Sequence, residues 1–370
     1  MENLVLFKVH MPESVDEPLL KVLHSGFIGQ GVKVDEFEEK LGNYFGNNKV
    51  LTLNSGTSGL HLALRLANVG IGDEVITTPM TCTATNMPIM ATGAKIIWAD
   101  INPITGLIDP EDIERKITNK TKAIVMVHFG GIPCDIDAIN KIAKKHNIKT
   151  IEDAAHAIGS EYDGKKIGNH SDFVMFSLQA IKHFTTIDGG LLFCKNNKDY
   201  ERGKLLRWYG IDRDAKRKEF RCEENILEYG YKYHMNDICA TVGIEQLKYI
   251  DGIVERHMSN KNYYDKELQN IKGVAVIKKP AIAKSSSWLY TIHIEKRDQF
   301  SSWMTKQNIM TSRVHERNDK HTAFKEYQIN LPNTDIFSLT QISIPVGWWI
   351  TDDNRSYIVD KIKEFSAKHL

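Results

Sequence analysis

Phe173-Val174-Met175-Phe176-Ser177-Leu178-Gln179-Ala180-Ile181-Lys182-His183-Phe184-Thr185-Thr186-Ile187-Asp188-Gly189-Gly190-Leu191-Leu192-Phe193 is an apolar run, a polar loop and a second apolar run. The two runs read as strands, and the loop between them carries Lys182 with hydroxyls on either side. A lysine amine held near cations or apolar walls loses its proton more easily and becomes a nucleophile. A loop lysine can equally be a solvated surface cation. The choice depends on what the rest of the chain brings to the same place.

Upstream, Val50-Leu51-Thr52-Leu53 runs into Asn54-Ser55-Gly56-Thr57-Ser58-Gly59, and residues 60–67 read as a helix. Strand, small polar turn and helix point free backbone N–H groups at an anion, with the Ser55 and Thr57 hydroxyls close by. The same turn could simply cap its helix. Alternation continues with strands predicted at 74–77, 95–100, 123–128 and 149–153 and helices at 83–90, from Asp109, and from Asp135 to Lys145. Asp109-Pro110 is a helix start, Asp at the cap and Pro in the first turn. Ala123-Ile124-Val125-Met126-Val127-His128 is continuously apolar, as a strand covered on both faces must be. The fold class is therefore α/β, with a mostly parallel sheet covered by helices on both faces. Ligands of such sheets sit at the carboxyl ends of the strands, and Ser55, Asp153 and Ser177 all fall at or just past such ends.

Composition bounds the partners. With Lys+Arg 48 against Asp+Glu 47 over 370 residues, the net charge of +1 argues against nucleic acid or an anionic membrane surface. The five cysteines (Cys82, Cys134, Cys194, Cys222, Cys239) form no CxxC pair and read as reduced thiols. The opening residues lack the apolar core of a signal peptide, and no run approaches a membrane span. A cytoplasmic location is expected. His128, His156, His170, His183 and His234 contain no HxH or HxxxH pair, and no metal site is expected.

Beyond Cys194 the periodicity fades. Residues 199–235 are rich in Arg and Tyr, among them Arg207, Tyr209, Arg213, Arg217 and Arg221. Such a stretch could bind phosphates or sugars, or pack as a long connection against a partner subunit. Residues 236–253 read as helical, and the remainder alternates helices with short strands at 274–277 and 289–294. A large domain is expected over 1–250 and a small α/β domain over 251–370, with residues 1–30 packing with the latter. Arg313-Val314-His315-Glu316-Arg317 adds further phosphate-capable groups.

Together these elements suit a cofactor that is an aldehyde, a phosphate and a pyridine ring in one molecule. Lys182 answers the aldehyde, and Ser55, Gly56, Thr57 and Ser177 answer the phosphate. Asp153 answers the pyridine nitrogen, since a carboxylate and a pyridinium stabilise each other's charged form. A structural role for Asp153, capping the next helix, is the alternative.

At Asn54-Ser55-Gly56-Thr57, Glu152-Asp153-Ala154-Ala155-His156, Ser177 to Lys182-His183 with Thr185-Thr186 and Gly189-Gly190, and His234-Met235-Asn236-Asp237-Ile238, the chain resembles the DegT/DnrJ/EryC1/StrS family. These are sugar aminotransferases of fold type I that use pyridoxal 5'-phosphate (PLP). The motifs occur in the family's order across nearly the whole chain. The resemblance implies that Lys182 binds the cofactor covalently and shuttles the proton once displaced. It implies that Asp153 pairs with the ring nitrogen and that His156 sits against the ring. Gly56, Thr57 and Ser177 would hold the phosphate with Asn236 of the neighbouring subunit, making a homodimer with shared sites. Cys82 stands where many relatives place an aromatic side chain against the ring, and Ile187-Asp188 where Gly-Glu is common. Relatives acting as sugar dehydratases carry histidine at the position of Lys182. The expected substrates are an amino-acid donor, L-glutamate, and a nucleotide-linked keto sugar destined for surface polysaccharide. His183, Arg207, Tyr209, Arg313 and His315 are the substrate-binding candidates. A smaller phosphorylated keto compound, such as a triose phosphate, is the alternative acceptor, and an inactive regulatory relative the alternative of another class.

Overall fold

The computed structural model describes residues 3–216, 219 and 225–370. Arg217, Arg221 and Cys222 fall outside them.

Among the described residues, seven strands form the central sheet, in the order Val50–Leu53, Gly190–Cys194, Phe173–Ser177, Lys149–Asp153, Thr121–Val127, Glu74–Thr77, Lys95–Trp98. The last five run parallel to one another. Gly190–Cys194 alone is reversed, antiparallel to both of its neighbours. Val50–Leu53 and Phe173–Ser177 therefore point the same way, and their carboxyl ends meet the amino end of the reversed strand. In that register Gly190 pairs with Leu53 on one side and Ser177 on the other. The phosphate-cradle turn and the lysine loop thus leave the sheet side by side.

The apolar runs are continuous because both faces of the sheet are covered. Along Thr121–Val127, Ile124 and Met126 belong to one buried cluster and Ala123 and Val125 to the other. Along Phe173–Ser177, Val174 and Phe176 face the first cluster, and Phe173 and Met175 the second. Side chains that alternate across a strand fill two cores at once. Each such Val, Ile, Phe or Met side chain contributes about 1.5–3 kcal/mol by leaving water.

A second, antiparallel sheet joins Val274–Val276, Tyr290–Ile294 and Gln341–Ile344. Its core takes Phe300 and Met304 from the helix Arg297–Lys306 and Ile358, Ile362 and Phe365 from Asp352–His369. Leu4 enters this core and bridges to Ile309, whereas the helix Asp16–Leu23 packs on Asp237–Gln246 instead.

Three local readings change. The helix after the cradle begins at Gly56, not Leu60. The stretch 236–253 is the helix Asp237–Gln246 followed by Ile250–Leu268. Asn197–Leu206 is helical, with Asn196 accepting from the Asp199 N–H over 2.9 Å. It buries only Gly203 and Leu206, and so has almost no apolar stripe to read.

Candidate active site

A cavity of about 330 Å³ lies at the edge where those strands end, lined by Ser55, Gly56, Asp153, Ser177, Lys182 and Trp288 among others. That is within the range for a small-molecule site.

The cradle is made by close backbone approach. Ser55 is the N-cap of the helix Gly56–Leu66, its Oγ accepting from Ser58 N–H over 3.1 Å. First-turn N–H groups of a helix have no acceptor within it, and Gly56 and Thr57 bring theirs to the cavity. A Cβ on Gly56 would lie 3.1 Å from Ser177 Cβ, and one on Gly190 only 2.4 Å from Ser55 O. Side chains at either position would fill the cradle or push it open. An unencumbered set of N–H groups with the Thr57 and Ser177 hydroxyls fits a phosphate.

Asp153 ends its strand buried. Its Oδ2 accepts from Thr85 Oγ1 over 2.6 Å and its Oδ1 from Ala155 N–H over 3.1 Å. Burial pushes its carboxyl above the usual range, against the pull of those two donors and of Lys182. A cation brought to this carboxylate would relieve that penalty, which fits a protonated pyridine nitrogen. Lys182 lies in a loop turned by its own N–H to Gln179 O, over 3.0 Å. Burial lowers its amine from 10.5 to about 8, opposed by the nearby Asp153 and Cys82. A substantial neutral fraction near neutral pH is what an aldehyde-capturing amine needs.

His156 stacks on Trp288 with ring centres 4.0 Å apart and planes at 22°, and lies 5.7 Å from His315. Its Nδ1 accepts from Gly130 N–H over 3.3 Å. Burial, reinforced by Lys182, holds it well below its ordinary value, so it is neutral at pH 7. Cys82 lines the cavity from the start of the helix Thr83–Ala91. His315 lines it too, its imidazole lowered to about 4 by burial and by Lys182.

Other expected residues lie elsewhere. His183, though next to Lys182, turns away into the protein and packs edge-on to His257 at 4.4 Å. Arg207 is buried outside the cavity, where it pairs with Glu38 and donates to Thr52 O. Its guanidinium is committed, because Glu38 also accepts from Thr52 N–H and Oγ1 and must be neutralised. Tyr209 is exposed on a left-handed turn, and Arg313 is half-exposed in an ion pair with Glu316. Arg317 is buried between Asp319 and Asp335. Asn236 is exposed and caps its own helix, its Oδ1 accepting from Cys239 N–H over 2.9 Å. Thr85, Gln179 and Trp288 line the cavity without having been singled out from the sequence. Thr81 and Thr85, one turn apart with hydroxyls 2.7 Å from each other, were a readable pair; Trp288 had no local signal. Among the described residues, no group of three or more His, Cys, Asp and Glu side chains could hold a metal ion.

The sequence matches the DegT/DnrJ/EryC1/StrS aminotransferase family over residues 10–363. It is 36% identical to the UDP-4-amino-4,6-dideoxy-N-acetyl-beta-L-altrosamine transaminase of Campylobacter jejuni, covering 91% of this chain and 90% of that one. It is 32% identical to the UDP-4-amino-4-deoxy-L-arabinose–oxoglutarate aminotransferase of Shewanella sediminis, with 93% of each covered. The fold superposes on the PLP form of a putative sugar aminotransferase, Spr1654 of Streptococcus pneumoniae, with a TM-score of 0.92 at 29% identity, covering 100% of both chains.

Proposed function

We infer that this chain, which belongs to the DegT/DnrJ/EryC1/StrS aminotransferase family and is a PLP-dependent aminotransferase, transfers an amino group from L-glutamate to a nucleotide-linked keto sugar. The observation carrying this is the convergence of Lys182, Asp153 and the Gly56–Ser177 cradle on one cavity. The relatives' UDP-sugar substrates and the oxoglutarate in one of their names support the acceptor and donor. A role in surface polysaccharide synthesis, in the cytoplasm, follows from the same reading. Among the described residues, no helix is long and apolar enough to cross a membrane.

When bound, PLP supplies the aldehyde carbon that carries the amino group and a ring that withdraws electrons from the reacting carbon. The chain's own residues do the rest. Gly56, Thr57 and Ser177 hold the phosphate by N–H and hydroxyl donors. Asp153, fixed by Thr85 and Ala155, keeps the ring nitrogen protonated. His156, neutral, braced by Trp288 and lining the cavity, would stand beside the cofactor ring. Lys182 Nζ holds the cofactor and, when free, takes up and returns the proton that moves during transfer.

We place the division between large and small domains at about residue 250, and assign the working unit as a homodimer. Phe27 is 84% exposed and Val32 76%. Both flank Gly31, whose N–H donates to Asp237 Oδ1 over 2.8 Å, beside exposed Asn236. An apolar patch around the residue that would reach across supports a shared site. The test of function is a screen with glutamate as donor, following 2-oxoglutarate. Nucleotide-linked keto sugars should turn over; turnover only of free keto sugar phosphates or dihydroxyacetone phosphate would replace this reading.

A further inference from the structure

The amine of Lys182 has one close neighbour that the chemistry above does not use. Its Nζ sits 3.6 Å from the ring centre of Trp288. The described residues place no carboxylate in ion-pair contact with it. Trp288 also donates from Nε1 to Ile181 O over 3.0 Å, the carbonyl just before the lysine. One side chain thus touches the lysine at its tip and the loop at the residue just before it.

The indole is itself held rigidly. Phe7 stacks on it at 5.0 Å and 23°, and His156 at 4.0 Å and 22°. The residues before it are pinned in turn. Ser286 N–H donates to Ser160 Oγ over 3.0 Å, and Ser286 Oγ to His156 O over 3.2 Å. His257 Nδ1 lies 3.0 Å from Ser287 O. The Lys182 amine lies over this braced ring, whose negative π-face attracts an ammonium.

We propose that Trp288 is a positioning residue for Lys182 in the part of the cycle when the lysine is free: its ring face parks the ammonium, and its N–H holds the loop from which the lysine acts. This rests on the assignment of Lys182 as the cofactor lysine. The lysine must stay close, in one orientation, while it carries a proton, and a flexible side chain does not do so unaided. The titratable groups around the amine are Asp153, Cys82, His156 and His315, with Asp188 on the same cavity wall and His183 turned away toward His257. The imidazoles His156, His183 and His315 are held neutral by burial, so Asp153 and Cys82, together with the indole face, are left to favour the charged amine.

The test uses enzyme whose cofactor is in its amine form, which leaves Lys182 free. Cyanate carbamylates only a neutral amine, so labelling of Lys182 between about pH 6 and 10, read by peptide mass spectrometry, gives its midpoint. Tetrafluorotryptophan placed at position 288 alone keeps shape and N–H but empties the ring face of negative charge. The midpoint should fall by about half a unit to one unit. W288F, which keeps a ring face and loses the N–H, should hold most of the midpoint while slowing the glutamate half-reaction. An unchanged midpoint in the fluorinated enzyme, or a fall in W288F as large as in it, would overturn the proposal. Enzyme loaded with PLP should protect Lys182 from cyanate. Failure of that protection would refute the lysine assignment instead, a result separate from the midpoint.

Discussion

Thr85 Oγ1 donates to Asp153 Oδ2 over 2.6 Å, joining the first turn of one helix to the end of a strand 68 residues later. With Ala155 N–H on the other oxygen, the carboxylate has fixed orientation and spare lone pairs for a cationic partner. Asp153→Asn keeps the shape and removes the charge. It should leave PLP bound and slow the glutamate half-reaction by at least ~100-fold, the scale of a strong electrostatic contribution. The decay of cofactor absorbance on adding glutamate measures this, and an unchanged rate would reduce Asp153 to a structural acid.

Lys182→Ala should abolish steady-state turnover and leave the fold in place. The side chain leaves a cavity wall and no packed core, so thermal unfolding should stay near wild type. Near-wild-type turnover in purified variant would refute its assigned role.

The lowered amine of Lys182 has a signature in pH. At about 8, the neutral fraction rises about tenfold per unit on the acid side and then saturates. Capture of PLP by the apoenzyme, followed by stopped-flow absorbance, should therefore accelerate up to about pH 8 and level off. A rate still climbing toward the ordinary lysine value of 10.5 would show that burial does not depress this amine.

Arg207→Ala tests the reassignment of that residue from substrate to structure. It strands Glu38 against the Thr52 backbone. Breaking a buried pair of this kind costs about 3 kcal/mol or more, which denaturant unfolding would read. The Michaelis constants for donor and acceptor should stay within about twofold, a window well under the 1.4 kcal/mol of a tenfold change. A large rise for the acceptor with unchanged stability would restore a binding role.

Asn236→Asp keeps the helix-cap acceptor for Cys239 N–H and adds a negative charge. If Asn236 serves the partner's phosphate, the homodimers of Lys182→Ala and Asn236→Asp are each nearly inactive, yet their mixture regains activity. One mixed site then collects both defects and the other neither. Tagged mixed dimers as inactive as their parents would confine each site to one chain.

The sheet was legible because its strands bury both faces: the runs around Val125 and Phe176 could hardly be anything else. Ser55, Asp153 and Lys182 were legible because they sit where such strands stop. Less visible were contacts made by sequence-distant partners. Trp288 reaches Lys182 from beyond residue 250, and nothing in Ser285-Ser286-Ser287-Trp288 announces it. Arg207 failed in the opposite direction. Its charge suggested a phosphate, but Glu38, far upstream, had already taken it.

The reversed strand Gly190–Cys194 also sets an order in time. Val50–Leu53 lies at the sheet's edge, with Gly190–Cys194 as its neighbour in the sheet and a bridge from Leu53 to His234, so during synthesis neither partner yet exists when it leaves the ribosome. Until residues 190–194 are made and inserted, Ser55 and Gly56 cannot meet Ser177. Closing so long a loop is slow. Cofactor binding should thus appear late and all at once as the chain folds, and PLP becomes a reporter of completed topology, not of any local segment.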